Sequence, residues 1–394
     1  MSTSLATLAA AAEPDHVIHS RPSWVISTPQ VELAITATGG MMFPVTFYRD
    51  TNKPVQPYYV SPWQDEGLKL DVPVLVALRG DFFCMPFGGN SDKFNGEQHP
   101  PHGEVAGSQW HHLETKHHGA LTTLKLELET KVRPGRVTKE ISLIEGDNVV
   151  YGTDTITGFA GPTPLGHHAT LGMPDKEGSV RIATSPFRFG CTNPGVFSDP
   201  AKREYQSFAI GARFTDLSQV PLMFKGAPDA DVTRLPARQG YADLLQIFNE
   251  PGEVAWTTAT RADEGYLWFS LKDPAVLNST VFWIENHGRH GVPWNGRNNC
   301  LGLEDVTAYF ADGLAASTKP NELNRQGVKT AVELSADHPT VVRYIQGVAK
   351  VPAGFEQVKT LEFAPGQVTF VSTAGQRVNV PVKHEFLHGG RLGE

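Results

Sequence analysis

The stretch TLKLELETKV, residues 123–132, alternates apolar and charged side chains one for one. Leu124, Leu126 and Leu128 fall on one side and Lys125, Glu127 and Glu129 on the other, the pattern of a half-buried antiparallel strand with one wet face. The next segment, VTKEISLIEGDNVVYGTDTITG (137–158), reads as two strands around the turn Gly146-Asp147-Asn148. VELAITATGGMMFPVTFY (31–48) is another pair, broken at Gly39-Gly40. PTVVRYIQGV (339–348), KTLEFA (359–364) and QVTFVSTA (367–374) continue the theme. Helical periodicity is confined to the N-terminal arm and a turn or two near NELNRQ (321–326). Strand follows strand without intervening helices, so the expected fold is all-β, a large antiparallel sandwich. Gly and Pro punctuate the chain rather than cluster, and no low-complexity linker divides it. We therefore expect a flexible arm over 1–22 and one β domain over 23–394.

At 394 residues such a domain buries roughly three-quarters of its unfolded surface and needs no covalent staples. The three cysteines, Cys84, Cys191 and Cys300, form no CxxC pair and suggest no disulfide framework. A net charge of −8 argues against a nucleic-acid partner. No apolar run reaches the ~18 residues of a membrane span. The apolar stretch in MSTSLATLAAAAEPDH lacks a positive region before it and reads as a loose arm rather than a signal peptide, so the default location is the cytoplasm.

Histidines crowd one region. HPPHGEVAGSQWHH (99–112) holds four, and His117-His118 follows. A metal site built from His99, His102 and Glu104 would need a loop to bring residues three apart together across two prolines. The adjacent pairs His111-His112 and His117-His118 diverge if extended and read as solvated loop residues.

His102 has a different setting. LRGDFFCMPFGGN (78–90) followed by PPHGEVAGSQW (100–110) resembles a pattern of the aldose 1-epimerase, or galactose mutarotase-like, superfamily. The matching positions are Arg79-Gly80, Pro86-Phe87-Gly88, His102-Gly103 and Trp110. PLGHHATLGMP (164–174) is similar to the family's second histidine segment, with the histidine at His168 and His167 as its rival. NNCLGLEDVTAY (298–309) looks like the strand carrying the family's glutamate, here Glu304. VELAITATGGMMFPVTF looks like its opening strand pair. No single motif is specific; the ordered set, running from about residue 30 to 315, is.

The resemblance implies a mutarotase-like supersandwich that interconverts sugar anomers, with Glu304 as base, His168 as acid, and His102 and Arg79 holding sugar oxygens. The residue types suit that chemistry. One group takes the C1 hydroxyl proton, another protonates the ring oxygen, and no metal or organic cofactor is required. A carboxylate within the apolar run CLGLEDV would be costly without a role. Asp243, in YADLLQIF, is a further acid in apolar company that could bind a hydroxyl. Trp110, Phe87 and Trp294 are candidates to line the pocket. The phosphate-handling branch carries an arginine after His-Gly, where this chain has Glu104 to Ser108, so an unphosphorylated sugar is expected. Asp305 stands where the family often has proline, which marks a divergent member. A non-catalytic carbohydrate-binding protein of the same fold, or a metal-dependent β-sandwich enzyme with three converging histidines, are the alternatives.

Overall fold

The structure, a computed structural model, describes residues 12–393. Alternation in the sequence becomes strand throughout. The decisive stretch forms the strand Leu121–Thr130 with Leu124, Leu126 and Leu128 buried. It pairs antiparallel with Gly135–Ile144, which pairs with Val149–Thr157 after the expected turn. These belong to a nine-stranded antiparallel sheet that continues through Thr340–Lys350, Tyr266–Lys272, Ala255–Arg261 and Val180–Thr184.

A seven-stranded sheet packs against it, in the order Arg213–Phe214, Phe187–Thr192, Tyr241–Asn249, Ser279–Asn286, Asn299–Thr307, Leu165–Gly172, Phe83–Cys84. Leu245, Ile247, Phe282, Leu301 and Leu303 turn inward and share a core with Leu124, Leu126, Val137 and Trp268 of the larger sheet. On the same strands Leu244, Phe248, Val281, Trp283, Cys300 and Val306 turn the other way. That outer face is roofed by the short helix Pro73–Ala77, by Phe82 and Phe87, and by Phe310 and Leu323. A three-stranded sheet, Val358–Ala364, Gln367–Ser372 and Arg377–Pro381, covers the far face of the large sheet. Tyr266–Lys272 is thus buried along its whole length, as a strand sandwiched on both faces must be.

The space between the two large sheets is not purely apolar. Lys139 Nζ donates to Asp154 Oδ1 at 2.8 Å, and the His167 ring lies 3.0 Å from Asp81 Oδ2 and 3.3 Å from Asp154 Oδ2. His167 stacks on Tyr344 with ring centroids 4.3 Å apart, and the Tyr344 hydroxyl donates to Asp305 Oδ2. Asp305 also accepts from Lys272 Nζ at 2.6 Å, from Thr280 and from Ser270. Each side chain has at least one charged or hydroxyl partner, which lowers the cost of keeping such groups in a core, although Asp81 Oδ1, Asp154 Oδ2 and His167 Nε2 make no hydrogen bond among the described residues.

Some expectations change in detail. Of the arm placed at 1–22, residues 1–11 lie outside the described residues, as does most of the segment weighed as a leader. Its end is a strand pair, His16–Ile18 against Arg21–Ser27. The pairs His111-His112 and His117-His118 sit not in a loop but on the edge strand His111–His118, largely solvent-facing as expected. A helical turn does occupy Glu322–Arg325. No helix among the described residues is long and apolar enough to cross a membrane.

Candidate active site

Leu165–Gly172 and Asn299–Thr307 are antiparallel neighbours whose register sets His168 directly opposite Glu304. Both side chains point to the outer face, and His168 Nε2 lies 3.2 Å from Glu304 Oε1. Room for the carboxyl comes from Gly302, two residues earlier on the same face. A Cβ there would stand 2.6 Å from Glu304 Oε1 and 3.0 Å from Trp283 Cβ. The His168 ring is fixed from three sides. It stacks on Phe82 at 4.6 Å, meets the Trp283 ring at 5.8 Å, and its Nδ1 lies 3.1 Å from Thr170 Oγ1.

His102 completes the cluster, its ring centroid 5.0 Å from that of His168. The His-Gly pair is needed for that approach. His102 has φ +59°, and a Cβ on Gly103 would lie 1.9 Å from the carbonyl oxygen of Met85. Backbone bonds clamp the turn: His102 N–H donates to Gly88 O at 2.7 Å and Met85 N–H donates to His102 O at 3.2 Å.

These groups line a cavity of about 320 Å³, near the lower end of the ~300–1,000 Å³ common for small-molecule sites. Val72, Val74, Leu75, Leu78, Phe197, Leu244, Trp283, Arg289 and Trp294 contribute to its walls. Arg289 is ringed by aromatics, its guanidinium carbon 5.0 Å from the Phe197 ring centroid and 5.1 Å from that of Trp294, and its Nε lies 3.4 Å from Glu285 Oε2. Burial pushes the Glu304 carboxyl well above the ordinary carboxylate value, with Arg289 opposing. Burial likewise holds His168 well below an ordinary imidazole, helped by His102, and brings His102 to about 4. The Trp283 indole nitrogen and His102 Nδ1 are buried without a hydrogen-bond partner among the described residues. Such orphaned groups are rare in native folds, and a ligand oxygen is a partner that would satisfy them.

The sequence-selected residues divide cleanly. Glu304, His168, His102 and Trp294 line the cavity. Phe87 stands behind His102, edge-on at 5.2 Å, and is fully buried. Arg79 does not reach the cavity. Its guanidinium donates to the carbonyls of Ala77, Ile18 and His19 and to Gln64 Oε1, tying the first strand pair to the domain. Asp243 faces away, accepting from the backbone of Ser207 and Phe208 and from the Ser207 hydroxyl. Trp110 is core, its indole donating to Val105 O at 3.0 Å. His167 lies in the polar chain between the sheets, so His168 is the histidine of the pair that meets Glu304.

Glu104 accepts from the backbone N–H groups of Lys131 and Val132 at 3.0 and 2.9 Å, and therefore has no bearing on the charge of a bound sugar. His99 pairs with Glu97 at 2.9 Å, so the histidines of the 99–112 stretch point to separate places. Among the described residues no group of three or more His, Cys, Asp or Glu side chains is placed to hold a metal ion. Sequence reasoning missed Arg289 and Trp283. Arg289 sits in the irregular segment 287–298, where no periodicity points inward. Trp283 sits in Ser279–Asn286, buried on both faces, so the sequence carries no mark of which way it turns.

No family model and no curated protein matches the sequence. Solved structures do match. A candidate aldose 1-epimerase from Escherichia coli K12 aligns over 84% of this chain and 99% of its own, with TM-score 0.54 at 15% identity. A second candidate aldose 1-epimerase, from Klebsiella pneumoniae, aligns over 86% and 82% with TM-score 0.57 at 12% identity. A galactose mutarotase related enzyme from Lactobacillus acidophilus aligns over 84% and 99% with TM-score 0.51 at 10% identity. With two stacked antiparallel sheets matching these proteins over most of their length at such low identity, the chain has the galactose mutarotase-like fold in a divergent form.

Proposed function

We propose that the cavity binds the reducing end of an unphosphorylated aldose and interconverts its α and β anomers. The observation that carries this is the Glu304–His168 pair, 3.2 Å apart at the floor of a cavity sized for a small molecule. In this reading the pair shares one proton, and burial, which raises Glu304 and lowers His168, favours its resting on the carboxyl. A sugar seated against both gives its C1 hydroxyl proton to His168 while Glu304 protonates the ring oxygen. The C1–O5 bond breaks and C1 becomes an aldehyde. After rotation about C1–C2, O5 attacks the other face of the aldehyde, its proton returns to Glu304, and the new O1 takes the proton from His168. This reverses, for the opening half-reaction, the roles that the family resemblance implies.

Arg289 is the sole Lys or Arg among the described residues lining the cavity, and it is already engaged with Glu285. A phosphate dianion would need more than that. This supports a sugar without phosphate, in place of the argument from Glu104.

The test follows one pure anomer towards equilibrium by NMR across a panel of free aldoses. Glu304→Gln keeps the shape but cannot shuttle the proton, and the loss should reach ~10² to 10⁴-fold or more. His168→Asn should lose a comparable factor, while sugar binding survives in both. Full activity in Glu304→Gln would refute the assignment. Wild-type rates equal to the buffer background on every sugar that binds would leave a carbohydrate-binding role instead.

A further inference from the structure

We propose that the aldose is a deoxy sugar, carrying a methyl group where a common hexose has its hydroxymethyl. This rests on the reading above and narrows it. The cavity is divided into two chemistries. Its hydrogen-bonding side chains form one contiguous patch. His102 stands 5.0 Å from His168, His168 contacts Glu304 at 3.2 Å, and Arg289 lies over Trp283 and Trp294 at 5.9 and 5.1 Å. The remaining wall is hydrocarbon. Val72, Val74, Leu75 and Leu78 come from one seven-residue segment built on the helix Pro73–Ala77, and Leu244 and Phe197 join them. Among the described residues lining the cavity there is no Ser, Thr, Asn or Gln.

A hexose carries a hydroxyl on nearly every carbon. With C1 and the ring oxygen committed to His168 and Glu304, the hydroxyls nearest them can use His102, Arg289 and the Trp283 indole. A hydroxyl directed at the Val72–Leu78 wall would lose its water and gain no partner, whereas a methyl group there gains contact.

Matched pairs differing only in that hydroxyl decide the matter: L-fucose with L-galactose, L-rhamnose with L-mannose, and 6-deoxy-D-glucose with D-glucose. Calorimetry on the full chain carrying Glu304→Gln reads binding apart from turnover, and NMR anomer exchange on the wild type reads catalysis. In at least one pair the deoxy member should bind on the order of 10- to 100-fold tighter, the range a hydrophobic pocket achieves against an added hydroxyl. Two wall variants, Val72→Thr and Leu75→Gln, should narrow that preference by about tenfold or more, since each offers a partner to the hydroxyl. Equal binding within every pair, or tighter binding of the hydroxylated members, overturns the inference and leaves the mutarotase reading intact. Deoxy preference without anomer exchange in the wild type sustains the inference and removes the catalytic reading. If no member of any pair binds, both fall.

Discussion

Replacing Gly302 with alanine should leave the protein folded and remove the proposed anomer exchange, because the added methyl collides with the Glu304 oxygen that faces His168. The new Cβ would stand 2.6 Å from Glu304 Oε1, and the oxygen has to retreat by about 0.8 Å to reach ordinary contact at 3.4 Å. Since the carboxyl is the end of a flexible side chain, that retreat costs the fold little. The 3.0 Å approach to Trp283 Cβ asks a few tenths of an ångström more from the neighbouring strand. Overpacking of this kind costs ~1–3 kcal/mol, and removing a strand glycine returns roughly 0.5–1 kcal/mol. The net loss should be about 0–2.5 kcal/mol, a fall in Tm of no more than about 5 °C. The His168–Glu304 contact, 3.2 Å in the native protein, would open towards 4 Å and cease to be a hydrogen bond. A misplacement on the order of 1 Å costs ~10²-fold in rate. Scanning calorimetry and NMR anomer exchange on the same preparation check both halves. Wild-type exchange rates in Gly302→Ala, with the substitution verified and Tm unchanged, would show that the carboxyl position does not matter and that the proposed site is wrong.

Other expectations follow from the same geometry. Burial works against charge on His167, but Asp81 and Asp154 outweigh it and raise its pKa to about 9 from 6.5. A raised value means that the charged ring's contribution is whole below pH 6.5 and is lost as pH climbs through 9. At 1.36 kcal/mol per unit this is roughly 3 kcal/mol, to be read as a falling denaturation midpoint that His167→Gln flattens. In the pH profile of kcat/KM, the acid limb should lie below the ordinary histidine value of 6.5 and the alkaline limb above the ordinary glutamate value of 4.5, leaving a plateau between them. A single limb centred at 6.5 would contradict the one-proton pair. Arg79→Met should cost about 2–4 kcal/mol by stranding the buried Ala77 carbonyl and Gln64 Oε1 and loosening the Ile18 and His19 contacts, yet change sugar Kd less than twofold. A weakened Kd at unchanged Tm would instead make Arg79 a sugar ligand.

The fold was legible because alternation in a strand is a direct record of which side is wet. The runs at 123–132 and 137–158 show it, and their strands lie where the pattern puts them. Central strands such as Tyr266–Lys272 carry no such record, being apolar on both faces. Within the site, chemistry-bearing residues were recognised better than their direction. His168 faces the cavity and His167 the inter-sheet space. Glu304 and Asp305 divide the same way, and so do Leu244 and Asp243. One residue of phase separates a cavity-facing group from one buried between the sheets, and a single sequence states the residue without stating the phase. Arg289 was illegible for a different reason, since an irregular segment has no phase to read.

That one-residue margin gives the buried polar chain a second meaning. Leu165–Gly172 and Asn299–Thr307 are buried along almost their whole length, so the alternation of wet and dry residues that marks register elsewhere is absent from them. The ion pairs supply a mark instead. A slip of one residue in Asn299–Thr307 drags Asp305 off Lys272, Thr280, Ser270 and Tyr344 and leaves a carboxylate facing hydrocarbon. The same slip in Leu165–Gly172 takes His167 from both of its aspartates. Because these groups adjoin Glu304 and His168 along the chain, they act as a tumbler lock. The alignment that closes it brings the Glu304 and His168 side chains face to face on the opposite side of the sheet.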